Sequence, residues 1–174
     1  MWSIITPAVT TLAMALPAPA AAACAGADAA PAQRDRQANS ATVLCLLSEQ
    51  RAAHGLPPLG SDRRLAAAAR AHSRDMAVHH YFAHDSRSGA SFAVRIHRTG
   101  WMRGRRRWSV GENLAWGTGG LATPRAIVAA WMKSPPHRHA ILESAYRVVG
   151  IGVAIGAPVD GAADGATYTA DFGS

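Results

Sequence analysis

Three segments hold the residues best able to do chemistry: Tyr81-Phe82-Ala83-His84, Gly111-Glu112-Asn113-Leu114, and Trp131-Met132-Lys133-Ser134-Pro135-Pro136-His137-Arg138. Each sets a His or Glu beside an element boundary, where a polar side chain can point into a cleft instead of being locked in a core. Brought together, His84, Glu112 and His137 supply two imidazoles and one carboxylate. That donor set suits Zn2+ or another divalent cation with positions left open for water, or a small polar ligand. Imidazole ligates only when deprotonated, so such a site weakens as pH drops through roughly 6.5. The same side chains can instead form a hydrogen-bonded network that braces a cleft without metal.

Turnover asks more of these residues. A metal-bound water with Glu112 as base is hydrolytic machinery, yet one carboxylate does not readily serve as both tight ligand and base. Ser134 near His137 invites a serine nucleophile. No Gly-x-Ser-x-Gly elbow surrounds it, and Pro135 and Pro136 supply no N–H for an oxyanion hole. The residues favour a binding or interaction module over an enzyme. Metal-dependent hydrolase or protease-like chemistry in the same cleft is the alternative.

Positioning these side chains takes helices first and strands last. The spacing predicts a first helix capped by Ser40, with Val43, Leu44 and Leu47 as its apolar stripe and Gly55 at its exit. Ser61 or Asp62 opens a second, on which Leu65, Ala69, His72 and Met76 share one face, turning His72 inward as a core histidine; His79 and His80 lie at its frayed end. Ser91, Phe92, Ile96 and Gly100 mark a short third helix. Thr123-Pro124 starts a fourth with Ile127, Val128 and Trp131 buried, and Pro135-Pro136 ends it, so that His137 emerges at its C-terminal side. The period then changes. Val149, Ile151, Val153 and Ile155 alternate with Gly150, Gly152, Ala154 and Gly156, a strand with one bulky and one nearly bare face that allows close approach of a helix. After the turn residues Asp160 to Gly165, Thr167 to Phe172 alternates again as a returning strand. Helices followed by an antiparallel hairpin imply an α+β layered fold.

A chain of 174 residues, 49% hydrophobic, carries one domain with a real core. Residues 1–23 contain no charge, run apolar from Ile4 to Leu16 and end in small residues, which reads as a secretory signal peptide, with an uncleaved anchor as the competing reading. Residues 24–39 read as an N-terminal tether and 40–174 as the domain. The cysteines, Cys24 and Cys45, pair as a disulfide in an oxidising compartment, stapling the tether to the first helix. A buried small Cys45 and a lipid-modified Cys24 are the other readings. The net charge of +7 concentrates around Arg95, Arg98, Arg103, Arg105, Arg106 and Arg107. On an exported protein, secreted or held at the cell envelope, the Arg103–Arg107 loop addresses anionic lipid, cell-wall polymer or a protein partner, or is a solvated surface. Without more aromatic interleaving than Trp101 and Trp108, it does not address nucleic acid. Trp101, Trp108 and Trp116 offer apolar surface and Trp131 belongs to the core. A single lysine, Lys133, amid so much alanine points to a GC-rich bacterial source, and the chain reads as a monomer.

The order of segments resembles the CAP superfamily, the cysteine-rich secretory, antigen 5 and pathogenesis-related-1 proteins, in its small bacterial extracellular form. The match runs from about Ser40 to Phe172. It is carried by Leu44 to Leu59 with Arg51, by His72-Ser73-Arg74-Asp75-Met76-Ala77, and by the three segments above. Val149-Gly150-Ile151-Gly152-Val153 and Asp171-Phe172-Gly173 complete it. The resemblance implies a three-layer α-β-α sandwich with a central antiparallel sheet in a single domain. His84, Glu112 and His137 match three positions of the family's two-His, two-Glu cleft. The fourth, a Glu on the Trp131 helix, falls at about Ser134 here, so one carboxylate is missing; Ala83 and Ser48 are milder departures.

Overall fold

In the computed structural model, residues 24–31, 36–162 and 164–174 are described; the signal peptide read over 1–23 lies outside them. The first apolar stripe forms with Leu46 buried and the expected Leu44 only half-buried, and its helix begins earlier. Helix α1 spans Arg36–Ala53 and buries Val43, Leu46 and Leu47. Ser40 is therefore inside the helix, and its hydroxyl donates to the carbonyl of Ile151 at 3.3 Å instead of capping. The tether is not loose over 24–31 either. Cys24 and Ala27 are buried, the Thr42 hydroxyl donates to the Ala25 carbonyl at 2.7 Å, and the Arg125 N–H donates to the Ala27 carbonyl at 2.9 Å. The Cys24–Cys45 disulfide ties this turn to α1.

Local signals place the next helices. Asp62 caps α2 (Arg63–His79) by accepting from the N–H groups of Arg64 and Leu65, which would otherwise be orphaned. Ser91 caps α3 (Phe92–Arg98), and Thr123 with Pro124 opens α4 (Pro124–Lys133). Pro135-Pro136 ends α4 and also starts a further helix, α5 (Pro135–Leu142), because proline without an N–H and with its φ preset fits a first turn. His137 thus sits in the first turn of α5 and not on a chain leaving a helix.

Four strands form one sheet: β1 (Gly60–Ser61), β2 (Val110–Thr118), β3 (Val148–Ile155) and β4 (Gly165–Gly173), in the order β1-β3-β4-β2. The three long strands run antiparallel; β1 adds two residues parallel to Val148 and Val149. One face, carrying Val149, Ile151, Val153, Tyr168 and Phe172, packs on α1, α4 and α5. The other carries Gly150 and Gly152, which let α2 lie against the sheet: a Cβ on Gly150 would strike the backbone of Leu65 and Ala66, and one on Gly152 that of Ala69 and Arg70. Ser73 of α2 seals the contact by donating to the Gly152 carbonyl at 3.1 Å and to the Thr169 hydroxyl at 2.8 Å. A smaller cluster of Leu65, Ala68, Ile96, Trp101 and Met102 joins α2 to α3. The result is the α-β-α sandwich. Trp101 is only 1% exposed, so it is core and not surface, because its ring closes this second cluster.

Candidate functional site

Strand β2 is the outer strand at one side of the sheet, and its alternation assembles the site. Consecutive residues point to opposite faces. Glu112 stands opposite Asp171 on β4, which is itself opposite Gly150, so these carboxyls face α2. Asn113, opposite Ala170, faces the α5 side and donates from Nδ2 to the carbonyl of His137 at 2.9 Å. Two neighbouring residues of one strand therefore hold the two histidines across the sheet edge. The Trp131 indole N–H donates to the Leu114 carbonyl at 2.9 Å and covers the next stretch of that edge.

His84 lies in the turn after α2, and three contacts fix it. The buried His72 ring donates from Nε2 to the Ala83 carbonyl at 2.9 Å, and Arg95 of α3 donates from Nη1 to the His84 carbonyl at 2.6 Å. The His84 ring meets Glu112 directly, Nδ1 to Oε1 at 2.8 Å. The other oxygen of Glu112 is held by the Arg95 guanidinium. A carboxylate only accepts, so Nδ1 of His84 carries the proton and Nε2 is the available ring atom. On the other side, Nδ1 of His137 lies 2.8 Å from the Ser134 hydroxyl, again leaving Nε2 without a protein partner among the described residues. Glu112 has no exposed side-chain surface, whereas half of the His84 side chain is exposed.

The electrostatics follow from these contacts. The hydrogen bond to Glu112 raises the His84 pKa above the usual imidazole value, against the opposing effect of burial. Burial, then the charge of His84, lowers that of His137. His72 is lowered by burial first and Arg95 second, as suits a core histidine. Asp171 is fully buried, and burial, then the charge of the neighbouring Glu112 carboxylate, raises its pKa well above the ordinary value, with a side-chain hydrogen bond to Glu112 adding to the shift.

For a divalent ion, the two imidazoles fit in chemistry: each presents Nε2 while its Nδ1 is braced, His84 by a carboxylate and His137 by a hydroxyl, the arrangement that orients metal-binding histidines. Glu112 occupies the brace position, with both oxygens committed. Among the described residues, the trio whose ligand atoms all lie within 4.8 Å of one another is Cys24, Cys45 and Glu49, and its sulfurs are already joined to each other. His84, Glu112, His137 and Ser134 are thus gathered at one edge, with Glu112 on His84 and Ser134 on His137. The sequence reading missed Arg95, Asn113 and Asp171 as parts of it. Arg95 carries no local signal, since an arginine on a seven-residue helix is ordinary. Asp171 carried one: strand alternation puts it with Thr167 and Thr169 on the face that α2 must cover.

Comparison with known proteins places the fold. The family model for the cysteine-rich secretory protein family matches residues 44–170. The uncharacterized protein YkwD of Bacillus subtilis is 36% identical over 113 residues, 63% of this chain and 40% of its own length. The uncharacterized membrane protein YlbC of the same organism is 34% identical over 111 residues, 64% of this chain and 30% of its own. The chain therefore spans less than half the length of these relatives. An extracellular protein containing an SCP domain from Bacillus anthracis superposes with a TM-score of 0.63 at 28% identity, over 79% of this chain and 40% of that one. An outer surface protein of Borrelia burgdorferi shares the fold at a TM-score of 0.61 and 20% identity, over 76% of this chain and 89% of that one. With three antiparallel strands between two helical layers and the family model matched over residues 44–170, the chain belongs to the cysteine-rich secretory protein family, the CAP superfamily, in its bacterial form.

Proposed function

We propose that this CAP domain is a binding module of the cell envelope whose site takes a ligand through Nε2 of His84 and of His137, a divalent cation of the zinc type being the smallest such ligand. The observation that carries this reading is the state of Glu112: one oxygen is held by His84 and the other by Arg95, so no carboxylate is left to activate water. Glu112 instead orients the His84 imidazole and raises its basicity. Arg95, Asn113 and Ser134 complete the bracing, and the bound ion would serve as an anchor for a further donor from outside.

Zinc titration of the protein by calorimetry tests the proposal. Uptake is expected at pH 7.5 and should weaken at least about tenfold at pH 5.5, because protons compete for both rings and most strongly for His84. His84→Ala and His137→Ala should each remove it, whereas Glu112→Gln should weaken it through loss of the brace. Equal zinc affinity in wild type and His84→Ala would sink the idea. So would turnover of a peptide substrate that is abolished by chelator and by Glu112→Gln.

The 2.8 Å contact between Ser134 and His137 favours a second reading, a serine nucleophile with an imidazole base. The Ser134 N–H is committed to the carbonyls of Ala130 and Trp131, and Pro135 and Pro136 have none, so the neighbourhood offers little to an oxyanion. Labelling of Ser134 by a fluorophosphonate would revive this reading; an unlabelled protein retires it.

A further inference from the structure

The segment between α3 and β2 is built unlike an idle loop. Trp101 and Met102 anchor it in the core, and the Trp101 indole N–H donates to Asp62 at 3.1 Å. Arg105 folds back over Trp101, its guanidinium 4.1 Å from the ring centroid and its Nε donating to the Trp101 carbonyl at 2.9 Å. Turn bonds from the Arg103 N–H to Gly100 and from the Arg105 N–H to Met102 close the chain on itself, and the Ser174 N–H donates to the Ser109 carbonyl at its exit. On this fixed base stand Arg103, Arg106 and Arg107, all exposed and without an ion pair among the described residues, and Trp108, 48% exposed. No acidic residue occurs between Ser86 and Gly111, a stretch with seven arginines. A notch of about 290 Å³ opens between His97, Gly100, Met102, Arg103 and Trp108.

We infer that this knob is a docking surface for an anionic lipid bilayer, with Arg103, Arg106 and Arg107 on the headgroups and Trp108 at the level of the interface. The inference goes beyond the reading of the histidine site and stands without it. Charge alone would suit any polyanion. The half-exposed indole beside Met102 decides for lipid, because a soluble polyanion offers an apolar wall nothing, whereas an indole with one apolar and one polar end settles at a membrane surface. The fixed base means that little chain entropy is lost on docking. No helix among the described residues is long and apolar enough to cross a membrane.

The test is flotation of the full chain with vesicles of phosphatidylcholine alone and of phosphatidylcholine with phosphatidylglycerol. Residues 1–23 carry no charged side chain, so whatever they add is common to both vesicle types and cancels in the ratio. Each arginine at an anionic surface is worth roughly fivefold, so the three should give a preference of about a hundredfold for the anionic vesicles. The preference should vanish at about 1 M salt, where the screening length is ~3 Å. Arg103→Glu/Arg106→Glu/Arg107→Glu should abolish it, and Trp108→Ala should weaken anionic binding several-fold with the salt dependence kept. These positions are exposed, so unchanged melting and unchanged zinc uptake in the variants separate this test from that of the histidine site. Equal binding to both vesicle types, or a triple variant that keeps the preference, overturns the inference. It is also overturned, in favour of an anionic polymer, if soluble polyphosphate binds as tightly and Trp108→Ala costs nothing.

Discussion

At Glu112 one carboxylate meets three ionisable neighbours: His84 on one oxygen, Arg95 on the other, and the buried Asp171 across the strand pair. Two carboxyls in one buried place disfavour joint ionisation when a single guanidinium faces them, and Asp171 is the one that holds its proton to higher pH than usual. This has a consequence for stability. The unfolded chain releases that proton near pH 3.8 and the folded chain only well above it, so between those values the folded state binds more protons. The contribution is whole below about pH 3.8 and is lost as pH rises through the folded value. Asp171→Asn removes the titration while keeping the shape. Chemical denaturation should show the variant gaining on wild type as pH rises above about 4; parallel curves would contradict this account. His84 behaves with the same sign, its pair with Glu112 contributing most below about pH 6.5.

Two elements that place the site were hidden in the chain, each for a physical reason. Strand β2 shows no clean alternation because both of its faces are used: Glu112 and Leu114 turn toward α2, and Asn113 and Ala115 toward the opposite layer. Helix α5 was hidden by Pro135-Pro136, since the same two residues that stop one helix satisfy the first turn of the next. The bare face of β3, by contrast, was plain in the alternation of Gly150 and Gly152 with Val149, Ile151 and Val153. Helix α2 fills that face so closely that Gly152→Ala has no room except by pushing the helix away. The expected cost is at or above about 3 kcal/mol, the upper end of overpacking, read as a lowered melting temperature. Because α2 leads into the His84 turn, zinc uptake should fall with it. A variant that melts like wild type would show that α2 is free to shift.

Across the molecule, the two helical layers are tied at different points. Buried Arg51 clamps the chain after α1 to the end of α5, donating to the carbonyls of Pro57 at 2.8 Å, Ile141 at 2.8 Å and Glu143 at 3.0 Å. The disulfide, spanning 21 residues, holds the 24–31 turn between α1 and α4. Closing a loop of that length restricts the unfolded chain by about 3 kcal/mol, so Cys24→Ser/Cys45→Ser should lower unfolding free energy by about that amount. The His84 and His137 site lies at the far side of the sheet from β1 and draws on neither cysteine, so its zinc affinity at low temperature should be unchanged. A loss of affinity in the double variant would show that the staple also shapes the β2 edge.

Residue types and spacing in the chain specified the helix caps at Asp62, Ser91 and Thr123, the inward face of α2 and the final hairpin, while the grouping of His84, Glu112 and His137 came from the resemblance to the family. Caps, stripes and turn residues act over a few positions, so their physics is written locally. Tertiary packing assigned the roles. Glu112 and Arg95 are 17 positions apart, and Asn113 meets a carbonyl 24 positions away. The docking of α3 and α5 on either side of β2 set Arg95 on Glu112 and the His137 carbonyl on Asn113. Contacts of that range depend on how layers settle against the sheet, and no local pattern encodes them.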